Sequence, residues 1–239
     1  DPDALAAVFA GLSPGDVVVH GGGPQATALA RRLGHEPTVV AGRRVTTDLD
    51  LDIALYVLRG ALNAGLVGAA RGAGVRPVGV SGADGALVTV SRRPPRAVDG
   101  QTVDFGHVGD VEAVDTALLA ALAGAGFVPV VSSVCADAGG ALFNVNADTV
   151  AAALAAAMGA QLDLVTEAGG VRRDAADPAS GIGRLSGAEI DAGVAAGWIA
   201  GGMRPKLEVA RAALASGVPA VRVCAPADVG NDGGTTVTA

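Results

Sequence analysis

The sequence has 239 residues, 24 of them acidic and 17 basic; the net charge of −7 and pI of about 4.8 argue against nucleic acid as a partner and require locally placed cations for any anionic ligand. Half of the residues are hydrophobic and the mean hydropathy is +0.45, enough core material for one large α/β domain or two lobes, with only 3% aromatics. No apolar run free of breakers reaches the roughly 18 residues that span a bilayer and no charged-then-apolar leader opens the chain, so a soluble, cytoplasmic protein with no membrane partner is expected.

In chain order, Asp1 and Pro2 read as the cap and first residue of a helix that runs to about Gly11. A strand over 16–20 enters Gly21-Gly22-Gly23, and a helix follows over 23–33. Thr38–Thr46, with Gly42-Arg43-Arg44 at its middle, resembles a hairpin. Thr47 to about Arg71 has helical spacing, with Gly60 and Gly65 as points where it could split. Strands over 76–81 and 86–91 are joined by the turn residues Gly82-Ala83-Asp84-Gly85, and hairpin strands are expected around Ala97 and Val103. Val111–Gly124 is expected as a helix, Val128–Val134 as a buried strand, and Leu142–Asn144 as the lead into a helix over 146–158. The pattern then restarts with a strand over 162–166 and a polar loop. Ser186–Glu189 reads as a capping box before a helix from about 187, followed by a helix over 202–215 and strands at 219–224 and 235–238. This alternation argues for a mostly parallel sheet flanked by helices.

Val17-Val18-Val19-His20 followed by three glycines strips side chains from a strand-to-helix turn. Such a turn is either a plain connection or an anion site formed by backbone N–H groups and a helix N-terminus. It is not a G-x-G-x-x-G dinucleotide fingerprint, and no G-x-x-x-x-G-K-[ST] phosphate loop occurs anywhere in the chain. Asn144-Val145-Asn146-Ala147-Asp148 either caps a helix or grips a substrate with its amide and carboxylate. Thr166–Val171 repeats the strand-then-glycine layout, as a second ligand loop or a second plain turn. Lys206, the one lysine beside 16 arginines, falls near a helix N-terminus, where a cation is unfavourable unless a strong anion joins it. Cys135 and Cys224 read as reduced, buried thiols, and three unpaired histidines give no metal-ligand pattern.

Val17–Pro24, Gly42–Thr46, Gly60–Asn63, Gly106–Gly109, Asn144–Asp148, Gly202-Met203 with Lys206, and Gly233–Val237 occur in this order in acetylglutamate kinases of the amino-acid kinase superfamily, which the chain resembles over essentially its whole length. The resemblance implies a three-layer αβα sandwich around a mostly parallel sheet. It also implies an N-terminal lobe (1–160) for N-acetyl-L-glutamate and dimerisation, and a C-terminal lobe (161–239) for ATP. The reaction implied is phosphorylation of the γ-carboxylate in arginine biosynthesis, with Mg2+ held mainly by the phosphates and a cytoplasmic homo-oligomer, at least a dimer. Carried over by position, Gly22 and Gly23 contact substrate through their backbones, Arg44 pairs with the α-carboxylate, and Asn144 binds near the α substituents. Asp148 organises the catalytic lysines, and Lys206 lies at the transferring phosphoryl group. Glu167, Ala168, Gly169, Gly170, Val171 and Arg172, with Trp198, Ile199 and Ala200, fall on the nucleotide. A carboxylate nucleophile is already ionised at pH 7, so no general base is required, and His20 and His107 are read as structural.

The sequence departs from the family in two places. Glu167 stands where the family has aspartate. The family's fold also opens with a strand ending in lysine-x-glycine-glycine, whose lysine is a second phosphate cation, whereas this sequence opens at the first helix. About ten or more further N-terminal residues ending in such a turn are therefore expected, since the helix at 2–11 normally follows a strand in a βαβ unit. Two alternatives stay open. One is a carrier-protein-linked aminoadipate kinase, although Asn144–Asp148 favours acetylglutamate; the other is a non-catalytic amino-acid-sensing module, motivated by the missing first-strand lysine.

Overall fold

The computed structural model describes residues 1–41, 43–98 and 100–238; Gly42, placed in the expected hairpin, lies outside them. Helix α1 (Pro2–Ala10) starts where the Asp1 carboxylate accepts the Asp3 N–H at 2.9 Å. It is followed by β1 (Val18–His20), α2 (Gly23–Arg32), β2 (Val39–Val40), β3 (Arg43–Arg44) and α3 (Asp48–Ala54), the last opened by a capping box between Thr47 and Asp50. A π-helical stretch, Leu55–Leu62, carries α3 into α4 (Asn63–Gly72) without a break. Then come β4 (Pro77–Ser81), β5 (Val88–Arg92), β6 (Arg96–Val98), β7 (Gln101–Val103), β8 (Gly109–Val114), α5 (Ala117–Gly124), β9 (Val128–Ser132), β10 (Val134–Ala136), β11 (Leu142–Asn144) and α6 (Ala147–Met158). The chain ends through β12 (Leu162–Val165), β13 (Arg184–Ser186), α7 (Gly187–Ala195), α8 (Met203–Ala215), β14 (Val221–Cys224) and β15 (Thr235–Thr238).

Two compact units result. The first comprises Pro14–Gly72 and Arg76–Val150; the second comprises Asp1–Ser13, Ala73–Val75 and the chain from Ala151 onward. The last passage of the chain between them, Val150 to Ala151, falls inside α6, and α1 counts with the second unit because it packs on the 3-10 turn Pro226–Asp228.

In the first unit, β1, β9 and β4 form a parallel sheet with β9 at its centre. Every residue of β9 is buried, and α4 and α5 both pack on it, as expected of a parallel strand covered on both faces. His20, Ser132 and Ser81 stand in register at the carboxyl ends of the three strands, the edge where α/β sheets bind ligands. A mixed sheet in the order β11-β10-β5-β8 and the antiparallel pairs β2–β3 and β6–β7 also belong to this unit. Ala26 and Ala30 of α2, Ile53, Ala54, Val57 and Leu58 of the long helix, and Val134 form one buried cluster.

In the second unit the strand order is β12-β14-β15-β13, with parallel outer pairs and an antiparallel central pair. Leu162, Leu164, Val221 and Val223 of the sheet meet Ala155, Ile190, Leu207 and Ala210 of the helices in its core. The buried guanidinium of Arg222 pairs with Asp163, which raises its pKa, and it donates to the carbonyls of Asn231 and Gly233. Those contacts tie the loop after β14 to the sheet.

Several elements differ from the sequence reading. Val111–Val114 is strand, paired antiparallel with β5; the helix begins only at Ala117, whose N–H bonds the Asp115 carboxylate at 2.9 Å. The expected single strand over 128–134 is two, β9 and β10, in different sheets. The expected turn forms at Gly82–Gly85, with Asp84 accepting both the N–H and the hydroxyl of Ser81, but the strands it joins lie in different sheets, β4 beside β9 and β5 beside β8 and β10. Gly60 and Gly65, read as weak points, are held within a continuous helix. That helix, Asp48–Gly72, has 25 residues and a mean hydropathy of 1.5 in its most apolar window, so by length and composition it could span a bilayer. Ile53, Val57, Leu58, Leu66 and Ala70 on it are buried within the unit.

Candidate active site

The glycine turn does in three dimensions what its sequence permits. Helix α2 has ten residues and no side chain capping its N-terminus. Among the described residues, the N–H groups of Gly22 and Gly23 donate to no protein acceptor. Donors of this kind at the positive end of a helix dipole suit an anion. Gly22 also lies close to the π-helical stretch: a Cβ there would stand 2.5 Å from Leu58 Cδ2 and 2.7 Å from Leu62 Cδ2, so both leucine side chains would have to shift. A Cβ on Gly21 would touch that of Ala147 at 3.4 Å, so the start of α6, with half-buried Asp148 in its first turn, reaches the same loop.

Arg44 brings a cation to this turn. Its Nη2 donates to Thr27 Oγ1 at 2.5 Å and to the Gly23 carbonyl at 3.4 Å, and its Nη1 meets Asp50 Oδ1 at 3.4 Å. Asp50 is 2% exposed and also accepts from His35 at 3.1 Å and from the backbone and hydroxyl of Thr47. Burial acts to raise the pKa of Asp50, but the hydrogen bonds from Thr47 and His35 outweigh it and hold the carboxyl below its usual range. Two residues beyond Arg44, Thr46 Oγ1 accepts from the Asn144 side-chain amide at 3.3 Å, and the Asn144 N–H donates to the His107 carbonyl at 2.9 Å. Gly22, Gly23, Arg44 and Asn144 thus belong to one connected patch. Asn146, not Asn144 or Asp148, supplies the helix cap, accepting the Thr149 N–H at 3.1 Å.

The second unit holds a cleft of about 370 Å³ whose walls include Gly169, Gly170, Val171 and Arg172 from the loop after β12. Asp228 and Gly234 face them. Gly234 has φ +95° and lies so close to β14 that a Cβ would stand 2.4 Å from the Val223 carbonyl oxygen; no other residue would leave this wall in place. The Val171 N–H is taken by Thr235 Oγ1 at 2.7 Å. Glu167 and Ala168 are exposed just before the glycines and outside the cleft lining. Trp198, Ile199 and Ala200 are not in its lining either. Ile199 is 2% exposed in the core, so only its backbone is available to a ligand, while half-buried Trp198 carries the Arg173 guanidinium 5.2 Å above its ring. Lys206 is half-buried at the fourth residue of α8, whose N-terminus has no side-chain cap.

The sequence reading did not name Asp50 and Thr27, which hold Arg44, nor Asp228 in the cleft wall. Gly234 and Thr235 were legible only as part of a terminal motif.

The family model described as the amino acid kinase family matches residues 4–225. The chain belongs to the amino acid kinase family. Within it, an acetylglutamate kinase of Symbiobacterium thermophilum is 45% identical over 217 residues, covering 90% of this chain and 73% of the relative. Among solved structures, smu.665 from Streptococcus mutans UA159 superposes with a TM-score of 0.77 at 26% identity, covering 93% of this chain and 85% of that one. The N-acetylglutamate synthase of Neisseria gonorrhoeae, complexed with coenzyme A and N-acetyl-glutamate, superposes at 0.78 with 25% identity, covering 99% of this chain and 56% of the synthase. Membership of the family accounts for the α/β architecture with parallel sheets and implies ATP as phosphoryl donor.

Proposed function

We propose that the protein is an ATP-dependent N-acetyl-L-glutamate kinase that forms the γ-carboxyl phosphate in arginine biosynthesis. The observation that carries this reading is the Arg44 guanidinium fixed beside the N–H groups of Gly22 and Gly23, which have no protein acceptor among the described residues, a two-point receptor for a small dianionic acceptor. Arg44 is assigned the α-carboxylate, where a planar fork binds better than a point charge. Asn144 is assigned the neighbouring amide, and the glycine N–H groups the reacting carboxylate. The loop Glu167–Arg172 and the backbone of Trp198–Ala200 are assigned the nucleotide.

In this reaction a γ-carboxylate oxygen attacks the γ-phosphorus of ATP in line, a P–O bond forms, the bond to ADP breaks, and no proton need move. The protein therefore has to hold two anions in line and supply positive potential to the oxygens between them. Glycine N–H groups, helix N-termini and Lys206 supply it, with Asp148 ordering the cations. The nucleotide's phosphates would hold Mg2+, which would add positive charge at their oxygens; among the described residues no group of three or more His, Cys, Asp or Glu is placed to hold one. The reading includes a cytoplasmic homodimer; a light-scattering mass equal to one 23.1 kDa chain would remove that part of it.

Hydroxylamine trapping tests the chemistry, because an acyl phosphate yields a hydroxamate. N-acetyl-L-glutamate with MgATP should give it. Trapping only with an aminoadipate substrate would transfer the protein to the longer acceptor. Trapping with neither, while N-acetyl-L-glutamate still binds, would make it a sensing module.

A further inference from the structure

Beneath the glycine turn, His20 and Asn63 form a buried polar pair, 8% and 2% exposed. The Asn63 Nδ2 donates to the Val130 carbonyl at 2.9 Å. A carbonyl can only accept, so that atom is the amide nitrogen, and its 3.0 Å contact makes His20 Nε2 the acceptor. The proton of the neutral ring then sits on Nδ1, 2.9 Å from the Gly21 carbonyl oxygen, again an acceptor only. The three contacts agree on one tautomer. Burial lowers the pKa of His20, which favours the neutral ring they require. Gly79 leaves room for this amide, because a Cβ there would stand 2.1 Å from Asn63 Oδ1.

The Gly21 C=O and the Gly22 N–H belong to one planar trans peptide and point in opposite directions. Tying the oxygen to His20 turns the Gly22 N–H away from the buried pair, and among the described residues that N–H has no protein partner. We propose that His20 and Asn63 are positioning residues that lock the Gly21–Gly22 peptide so that the Gly22 N–H is presented to an anionic oxygen of the reacting carboxylate or the phosphoryl group it receives. The proposal rests on the kinase reading for the identity of that anion, but not for the lock itself. His20 then takes no part in proton transfer.

The first test needs only the unaltered protein. Its imidazole 15N spectrum at pH 7 should show His20 protonated at Nδ1 and bare at Nε2, the less common tautomer of a free neutral histidine; an Nε2–H ring or an imidazolium would overturn the lock. The second compares two variants. His20→Asn keeps an amide donor where Nδ1 stood, and His20→Leu removes it. In His20→Leu, kcat should fall about 10- to 100-fold, less than the ~10²–10³ for outright loss of one transition-state donor, with KM for ATP unchanged. His20→Asn should recover kcat to within about threefold of the unaltered enzyme, by keeping that donor in place. Equal kcat in the two variants overturns the proposal. Inorganic phosphate should shift the Gly22 amide resonance in the unaltered protein and in His20→Asn but not in His20→Leu; an equal shift in all three also overturns it. The tautomer and phosphate readouts need no turnover. If the unaltered protein does not phosphorylate N-acetyl-L-glutamate, the kinase reading fails while the lock is still judged.

Discussion

Arg44 should govern acceptor affinity. Its guanidinium is held by Asp50, Thr27 and the Gly23 carbonyl, so it meets an incoming carboxylate already oriented. A charge-assisted contact of this kind is worth about 1.5–3 kcal/mol, so Arg44→Ala should raise KM for N-acetyl-L-glutamate about tenfold or more. KM for ATP should stay near its original value; the reverse pattern would mean that the two ligands have been assigned to the wrong units. Lys206→Ala should instead lower kcat by about 10²–10³, the scale for one transition-state donor, with small changes in both KM values. Normal turnover in that variant would remove Lys206 from the reaction. The two cysteines belong to the core and not to the chemistry. Burial pushes the Cys135 thiol up to about 12 and Cys224 to about 11, so a thiol reagent at neutral pH should label neither until the protein unfolds.

At the scale of elements, what could be read from the sequence was local chemistry. The Ser186–Glu189 box forms as expected, with the Ser186 N–H donating to Glu189 at 2.8 Å. Ser186→Ala should cost about 1 kcal/mol, seen as a lower urea midpoint with unchanged KM values, since the hydrogen bonds it removes are those of the box itself. Glycines after a strand, Asp1-Pro2 before a helix and the alanine-rich α6 were legible for the same reason, because neighbours in sequence decide them. Val111–Val114 misled because alanine, valine and leucine dominate strands and helices alike in this chain, and pairing with β5 decided the outcome. The His20–Asn63 contact spans 43 residues, and nothing in either neighbourhood announces it. Arg44 and Asp50 are six residues apart on different elements, so the buried carboxylate read only as part of a helix. The glycine turn could be read as a place for an anion; the side chains that orient it emerged only from the fold.

For the whole molecule, acid should destabilise in two stages. His20 has a folded pKa below its usual value, so between the folded value and about 6.5 the unfolded chain binds more protons. Stability should therefore fall as pH drops through about 6.5, and the thermal midpoint should be lower at about pH 5.5 than at about pH 7.5. His20→Asn should flatten that slope; the same slope in the variant would assign it to other groups. Asp50 has the opposite charge type and a folded pKa held below the carboxylate range. Its contribution is complete above the unfolded value and is lost only as pH falls further, through the folded one. Either substrate, bound to the folded state alone, should raise the midpoint with concentration.

A coupled assay of ADP release shows which acceptor receives the phosphoryl group. N-acetyl-L-glutamate, L-glutamate and aminoadipate should be compared at saturating MgATP with the unaltered protein and with Arg44→Ala. ADP release should be sustained with N-acetyl-L-glutamate alone, and high N-acetyl-L-glutamate should overcome the Arg44→Ala defect. Equal or faster release with aminoadipate, or release indifferent to every acceptor, would rule out N-acetyl-L-glutamate as the substrate.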